Sequence, residues 1–154
     1  GITFISSLTV IGAPYWNPEA KGGIFGITRG TKQGHIARAA LEAIAIRSSE
    51  IINEMQKDSG IQFSALKVDG GASMNKLLMQ IQANLLSTIV VRPKTTEITA
   101  LGVAFLAGLG CGFWENQESL KSLWEKDIEF IPESSEKSQK MLDLWKERIK
   151  KVLQ

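Results

Sequence analysis

Two adjacent glycines, Gly70 and Gly71, have the clearest potential for chemistry, because they lie between a strand pattern and a helix pattern. Leu66 and Val68 alternate with polar residues, which predicts a strand with one solvated face. A helix predicted to begin near Ser73 directs its first N–H groups and the positive end of its dipole back at the glycines. Such a turn can hold an anion, usually phosphate, because the missing Cβ atoms let a ligand approach the backbone. The alternative is a tight strand-to-helix connection without a ligand.

Asn75 follows the glycines in the first turn of the predicted helix, so it lies near anything bound there. Its side chain either caps the helix or contacts a ligand, and both interpretations stay open. The single cysteine, Cys111, stands among apolar and glycine residues and is expected to be a small buried hydrophobe. The single histidine, His35, has no cysteine or second histidine beside it, so no metal site of that type is expected.

The composition indicates one globular domain. The chain has 154 residues, of which 44% are hydrophobic and 22% charged, with a net charge of +2. That charge argues against binding to nucleic acid, and no apolar run approaches the roughly 18 residues of a membrane span. One cysteine allows no intrachain disulfide, which favours the cytoplasm. The chain starts without methionine in a strand pattern, so we expect a piece of a longer protein.

The elements alternate between strands and helices, which predicts an α/β layer with helices covering a sheet. Strands are predicted at 2–5, 22–28, 66–69 and 88–92, and helices at 32–57, 73–87 and 98–112. We expect Thr31 to cap the first long helix. We expect Tyr15 and Trp16 to pin their loop over the core, and the alternative is that they form a wall of a site.

Three further expectations concern packing. The first long helix has an apolar stripe formed by Ile36, Ala40, Ala43, Ile44, Ile51 and Met55. The helix at 98–112 is rich in small residues, which predicts that it is buried in tight contact with its neighbours. After a short helix and an extended segment at 128–132, the last helix, 135–153, is predicted to have an apolar side and to solvate its basic residues. The apolar side is formed by Leu142, Trp145, Ile149 and Val152.

Several separated motifs together resemble one family. They are Gly12-Ala13-Pro14-Tyr15-Trp16, the run from Gly23 to Thr31, Val68-Asp69-Gly70-Gly71-Ala72 with Asn75, and Thr99-Ala100-Leu101-Gly102. In this order they are similar to the C-terminal half of the glycerol kinases, which belong to the FGGY carbohydrate kinases. The resemblance covers nearly the whole chain.

The resemblance implies an actin/hexokinase-like (ribonuclease H-like) ATPase domain, a mixed sheet covered by helices, over residues 1–154. Within it, 114–154 would be a helical C-terminal extension packed on the domain. It implies transfer of the γ-phosphoryl group of ATP to glycerol with Mg²⁺, giving sn-glycerol 3-phosphate. Gly70, Gly71, Ala72 and Asn75 would bind the nucleotide.

The same resemblance places other functions outside this chain. The catalytic aspartate, the glycerol-binding residues and the N-terminal phosphate loop of the family lie upstream of the matching region, and the family's N-terminal domain is absent from this chain. We therefore expect no catalytic residue and no metal ligand here, and an isolated chain that is inactive. The complete enzyme would be a cytoplasmic homo-oligomer.

One position departs from the family pattern, because Ile98 stands where the family usually has threonine. Two alternatives remain. The chain could belong to another FGGY kinase, acting on xylulose or gluconate, or it could be a non-catalytic actin-like nucleotide-binding module.

Overall fold

Strands and helices alternate along the chain in the predicted order. The structure is a computed structural model and describes residues 1–133 and 136–154. Its elements are β1 (Thr3–Ile5), β2 (Gly23–Phe25), α1 (Gln33–Ser59), β3 (Ala65–Lys67), a 3₁₀ helix (Gly71–Met74), α2 (Lys76–Leu86), β4 (Ile89–Pro93), α3 (Ile98–Gly110), α4 (Gln117–Lys121), β5 (Lys126–Phe130) and α5 (Glu136–Ile149). No helix of the described residues is both long and apolar enough to cross a membrane.

The strands form two small sheets. β1 pairs antiparallel with β2, with Phe4 opposite Ile24. The other sheet has the order β3-β4-β5. In it β3 runs parallel to β4, with Leu66 opposite Val90, whereas β5 runs antiparallel to β4. The parallel strands β3 and β4 of the mixed sheet are therefore joined through α2, and the two glycines lie in this connection, directly after β3.

Helix α1 crosses both halves of the molecule and ends at Gly60, whose φ of 67° favours glycine. The prediction that Thr31 caps it is wrong, because the Thr31 hydroxyl accepts the N–H of Thr28 at 2.8 Å. The His35 Nδ1 instead accepts the Lys32 N–H at 3.2 Å, so the single histidine of the sequence caps the first turn of α1.

Two clusters of buried residues make up the core, and α1 contributes to both. One lies between α1, β1 and α5 and contains Ile5, Ile11, Ala20, Ala43, Ile46, Trp145 and Ile149. The other lies between α1, α2 and the mixed sheet and contains Ala45, Leu78, Met79, Ile81, Ala83, Val90 and Phe130. A buried hydrogen bond of 2.8 Å from Gln82 Nε2 to Ser49 Oγ joins α1 to α2.

Helix α5 confirms the predicted apolar side. Trp145, which is 1% exposed, and Ile149 are buried, and Leu142 and Val152 pack against the same cluster. The predicted first residue of this helix, Ser135, lies outside the described residues. The expectation that its basic residues are all solvated is wrong for Arg148. That side chain donates to Thr3 Oγ1 at 2.7 Å and to the carbonyl of Gly1 at 2.9 Å, so it ties α5 to β1.

The loop before β2 is anchored by Tyr15, as predicted, but not by Trp16, which is 77% exposed. The Tyr15 hydroxyl donates to Glu50 Oε1 at 2.5 Å, and Trp145 Nε1 donates to the same oxygen at 2.9 Å. Arg47 Nη1 donates to the other Glu50 oxygen at 2.6 Å. Burial and then the hydrogen bond to Glu50 raise the pKa of Tyr15, so the phenol remains protonated and keeps donating at neutral pH.

Helix α3 and the residue after it contradict two predictions. Among the residues of α3, only Gly108 is buried, whereas Val103 and Leu106 are 63% and 71% exposed. Cys111 is likewise exposed. Exposed apolar residues also occur on the predicted stripe of α1, where Ala43 is buried as expected but Ile44 is 47% exposed. The periodicity is real, yet nothing in the described residues covers these positions.

Candidate functional site

The turn after β3 is held at both ends by backbone hydrogen bonds. Val68 donates its N–H to the carbonyl of Val91 at 3.0 Å, and Gly70 donates to the carbonyl of Thr96, also at 3.0 Å. Gly70 has φ 74° and ψ 171°, a conformation that L-residues with a side chain rarely adopt. The turn is therefore fixed against the loop that leads into α3, at the carboxyl end of β3.

The chain continues from this turn as a 3₁₀ helix, not as the α-helix predicted to begin at Ser73. The Ser73 N–H donates to the carbonyl of Gly70 at 3.1 Å, and the Ser73 hydroxyl donates to the same oxygen at 2.7 Å. Ser73 is buried, and its side chain replaces a water that would otherwise bind that carbonyl. The 3₁₀ helix is more tightly wound than an α-helix, with three residues per turn, and α2 begins only at Lys76.

The space in front of the two glycines is open. A Cβ built on Gly70 or on Gly71 meets no atom of the described residues within 4 Å. Gly71 does not have a left-handed φ, so neither its conformation nor its neighbours require glycine. The first N–H groups of a 3₁₀ helix have no acceptor within it, and those of Gly71 and Ala72 have none elsewhere in the described chain. The turn thus presents backbone donors to whatever approaches it.

Asn75 caps α2, as one of the two predicted interpretations requires. Its Oδ1 accepts the N–H of Leu78 at 3.1 Å, and its carbonyl accepts the N–H of Met79 at the same distance. Because Oδ1 is used by the cap, the amide nitrogen is the part of this exposed side chain that can contact a ligand. The four predicted residues Gly70, Gly71, Ala72 and Asn75 therefore lie on one continuous turn.

Arg92, which was not singled out from the sequence, supports this turn from behind. Its side chain is 7% exposed. The guanidinium donates from Nη1 to the carbonyl of Ser73 at 3.2 Å, and from Nε and Nη2 to Asp127 Oδ2 at 3.0 and 2.5 Å. The planar fork of arginine thus joins β5, β4 and the 3₁₀ helix. The sequence signal that could have identified Arg92 is its position at the end of a β-branched run, where a charged residue ends a buried strand.

An open glycine turn at the carboxyl end of a parallel strand lies where α/β proteins commonly bind ligands. The mixed sheet with its helices is an α/β arrangement, as expected for the actin/hexokinase-like class. The model of the FGGY family of carbohydrate kinases, C-terminal domain, matches residues 1–111. The chain belongs to this family, which confirms the resemblance seen in the motifs.

Similar proteins and solved structures are also carbohydrate kinases of this kind. The chain is 51% identical over 154 residues to glycerol kinase 1 of Saccharolobus solfataricus, covering 99% of this chain and 31% of that protein. Its structure is similar to that of Plasmodium falciparum glycerol kinase with ADP, with a TM-score of 0.87 and 33% identity, covering 99% of this chain and 31% of that one. It shares its fold with xylulose kinase of Lactobacillus acidophilus, with a TM-score of 0.76 and 24% identity, covering 95% and 30% of the two chains.

Proposed function

We propose that this chain is the ATP-binding C-terminal part of a glycerol kinase, which converts ATP and glycerol into ADP and sn-glycerol 3-phosphate. The observation that carries the proposal is the 51% identity to a glycerol kinase along 99% of the chain. The likeness to xylulose and gluconate kinases, at 24% and 23% identity, concerns the fold alone. As in the family pattern, the complete protein would be a cytoplasmic homo-oligomer.

In this proposal the turn from Gly70 to Asn75 binds the nucleotide. The free N–H groups of Gly71 and Ala72 would donate to phosphate or ribose oxygens, and the amide nitrogen of Asn75 to the base. The open space at Gly71 supports this proposal. Neither the backbone conformation nor the described neighbours of Gly71 require a glycine, whereas a ligand close to the backbone would. A Plasmodium glycerol kinase of closely similar structure contains ADP.

Mg²⁺ would arrive with the nucleotide, bound to its phosphate oxygens. Among the described residues there is no group of three or more histidine, cysteine, aspartate or glutamate side chains that could hold a metal ion. Mg²⁺ in phosphoryl-transfer enzymes commonly keeps several waters and uses phosphate oxygens as ligands. The chain's own contribution is therefore to hold and orient the nucleotide that carries the metal.

Calorimetry with ADP on the 154-residue chain tests the nucleotide site. We expect weak binding by the wild type, because the chain supplies one wall of a cleft, and no measurable binding by Gly71→Val. The valine side chain would occupy the open space while leaving the described fold unstrained. Gly34→Val is the matched control, because Gly34 lies near the start of a helix and a Cβ there also meets no atom within 4 Å.

Two outcomes would contradict the site assignment. One is equal ADP affinity of the wild type and Gly71→Val. The other is equal loss of affinity in Gly71→Val and Gly34→Val, since a general effect of valine would then explain the result. Circular dichroism of each variant shows whether the helices are retained.

A further inference from the structure

Met74 is an exposed apolar side chain on the glycine turn. It is the last residue of the 3₁₀ helix that begins at Gly71, and it is 56% exposed. A single exposed apolar side chain is ordinary on a protein surface, so exposure alone gives Met74 no role. Its position is the informative feature, because it stands directly before Asn75 and shares the short helix with Gly71.

The winding of the 3₁₀ helix determines the side on which Met74 lies. Such a helix has three residues per turn, so side chains three positions apart eclipse each other. Met74 therefore lies on the same side of the helix as Gly71, about 6 Å further along the axis, since each residue rises about 2 Å. Ser73 lies on a different side, and it is buried. Met74 thus borders the open space in front of Gly71.

The side chain of Met74 does not help to pack the described part of the chain. It belongs to neither core cluster, whereas Met79 is buried in one of them and Met141 packs against both. Its backbone is held, because its carbonyl oxygen lies 3.5 Å from Nη1 of Arg92. The apolar surface of Met74 is therefore presented from a fixed backbone position, and its removal should cost the fold little.

A nucleotide has the shape that suits this arrangement. In the proposed site the N–H groups of Gly71 and Ala72 meet phosphate or ribose oxygens. The sugar ring separates the phosphates from the base, so the base lies further along the helix axis, where Met74 and Asn75 stand. An aromatic ring is a suitable partner for Met74, because the polarisable thioether of methionine makes favourable contacts with such rings.

We propose that Met74 packs on one face of the nucleotide base and thereby favours purine over pyrimidine nucleotides. The free energy of an apolar contact grows with the area removed from water, and a two-ring purine offers a larger face than a one-ring pyrimidine. This inference rests on the proposed nucleotide site. It adds to that site a residue that determines which bases are bound well.

NMR of the methionine methyl groups tests the contact with controls inside the same molecule. The chain has four methionines, and each gives one signal when its methyl group is isotope-labelled. We expect ADP to shift the Met74 signal, because an aromatic ring would lie against it, and pyrophosphate, which has no base, to leave it unchanged. Met55 is the matched control. It is 54% exposed and lies near the end of α1, which leads to the start of β3 and not to the turn after it.

Titration of variants by the same method measures the contribution of Met74 to affinity. Met74→Ala should weaken ADP binding about 5-fold through loss of the thioether contact and leave pyrophosphate binding unchanged. The wild type should bind ADP more tightly than UDP, and the ratio of these affinities should fall toward one in Met74→Ala. Met74→Leu keeps an apolar side chain and should stay within about 2-fold of the wild type. Met55→Ala should change none of these affinities.

The outcomes distinguish this inference from the proposed function. If ADP shifts the amide signals of Gly71 and Ala72 but not the Met74 methyl signal, the nucleotide site stands and the role of Met74 is wrong. If ADP shifts none of these signals, both are wrong. Equal loss of ADP and pyrophosphate affinity in Met74→Ala also overturns the inference, because a general change in the turn would then explain it. The signal of the buried Met79 shows whether each variant keeps the fold.

Discussion

At the scale of the residue, Asn75 combines two tasks that can be separated. Asn75→Asp keeps the oxygen that caps α2 and places a negative charge at a helix N-terminus, which is favourable by about 0.3–1 kcal/mol. It also removes the amide donor and repels phosphate. We expect unchanged or slightly raised stability in urea denaturation, together with weaker ADP binding in calorimetry. Asn75→Ala is the comparison, and it should cost about 1 kcal/mol of stability through loss of the cap.

If Asn75 acts only as a helix cap, Asn75→Ala lowers stability and Asn75→Asp does not. In that case Asn75→Asp binds ADP as the wild type does, and the assignment of the amide to the ligand is wrong. If both variants lose affinity, but only Asn75→Ala loses stability, the amide contributes to binding independently of the cap.

Residue identities were enough to find the turn, but not to find Arg92, which supports it, or Glu50, which anchors the loop of Tyr15. Gly70, Gly71 and Asn75 stood out because glycine pairs and helix caps have local signals in the sequence. Glu50 and Arg92 did not, because their partners are far away in the chain. Glu50 accepts hydrogen bonds from Tyr15 and Trp145, and Arg92 binds Asp127, separations of 35, 95 and 35 residues. A charged residue on a helix or strand is usually solvated, and only the folded structure shows these exceptions.

At the scale of the element, the brace formed by β4, β5 and the 3₁₀ helix depends on Arg92. Arg92→Met removes the hydrogen bonds to Asp127 and leaves the carbonyl of Ser73 without that donor. We expect a loss of about 2 kcal/mol in the free energy of unfolding and weaker ADP binding, because the turn loses its support. Urea denaturation and calorimetry measure the two effects.

Lys94→Met is the matched control for this brace, because Lys94 follows the same strand and pairs with Glu125 in solvent. It should change neither stability nor ADP affinity appreciably. Arg92→Lys keeps the charge but not the planar fork, so it should fall between the wild type and Arg92→Met. Wild-type ADP affinity in Arg92→Met would show that the turn keeps its shape without the brace.

Element types were predictable from periodicity, whereas their burial was not. The alternation of Leu66 and Val68 and the β-branched run before Arg92 gave β3 and β4 correctly. The small residues of α3 predicted a buried helix, and that prediction is wrong, because Gly108 is the only residue of α3 that is buried among the described residues. Periodicity reports which side of an element is apolar, and it contains no information on whether the covering partner belongs to the same stretch of sequence.

At the scale of the whole molecule, the chain comprises one side of a proposed two-sided reaction centre. Phosphoryl transfer depends on positioning the nucleotide and the acceptor hydroxyl together and on neutralising charge around the transferred group. The described residues present donors at the Gly70–Asn75 turn and, in our proposal, nothing that binds glycerol. The family model ends at residue 111, so the assignment of 114–154 as an extension packed on the domain remains a prediction.

The last prediction is that the isolated chain binds ADP but does not turn over ATP. In a coupled assay for ADP release, we expect glycerol to produce no rate above that of a protein-free control. The same preparation is first shown to bind ADP, so that a misfolded sample is not mistaken for an inactive one. A chimera in which this chain replaces its matched segment of the Saccharolobus solfataricus glycerol kinase should show glycerol-dependent turnover. Gly71→Val should remove that turnover, because the nucleotide would no longer fit the turn. Glycerol-dependent turnover by the isolated chain, lost in Gly71→Val, would instead place the acceptor site and the catalytic group within these 154 residues.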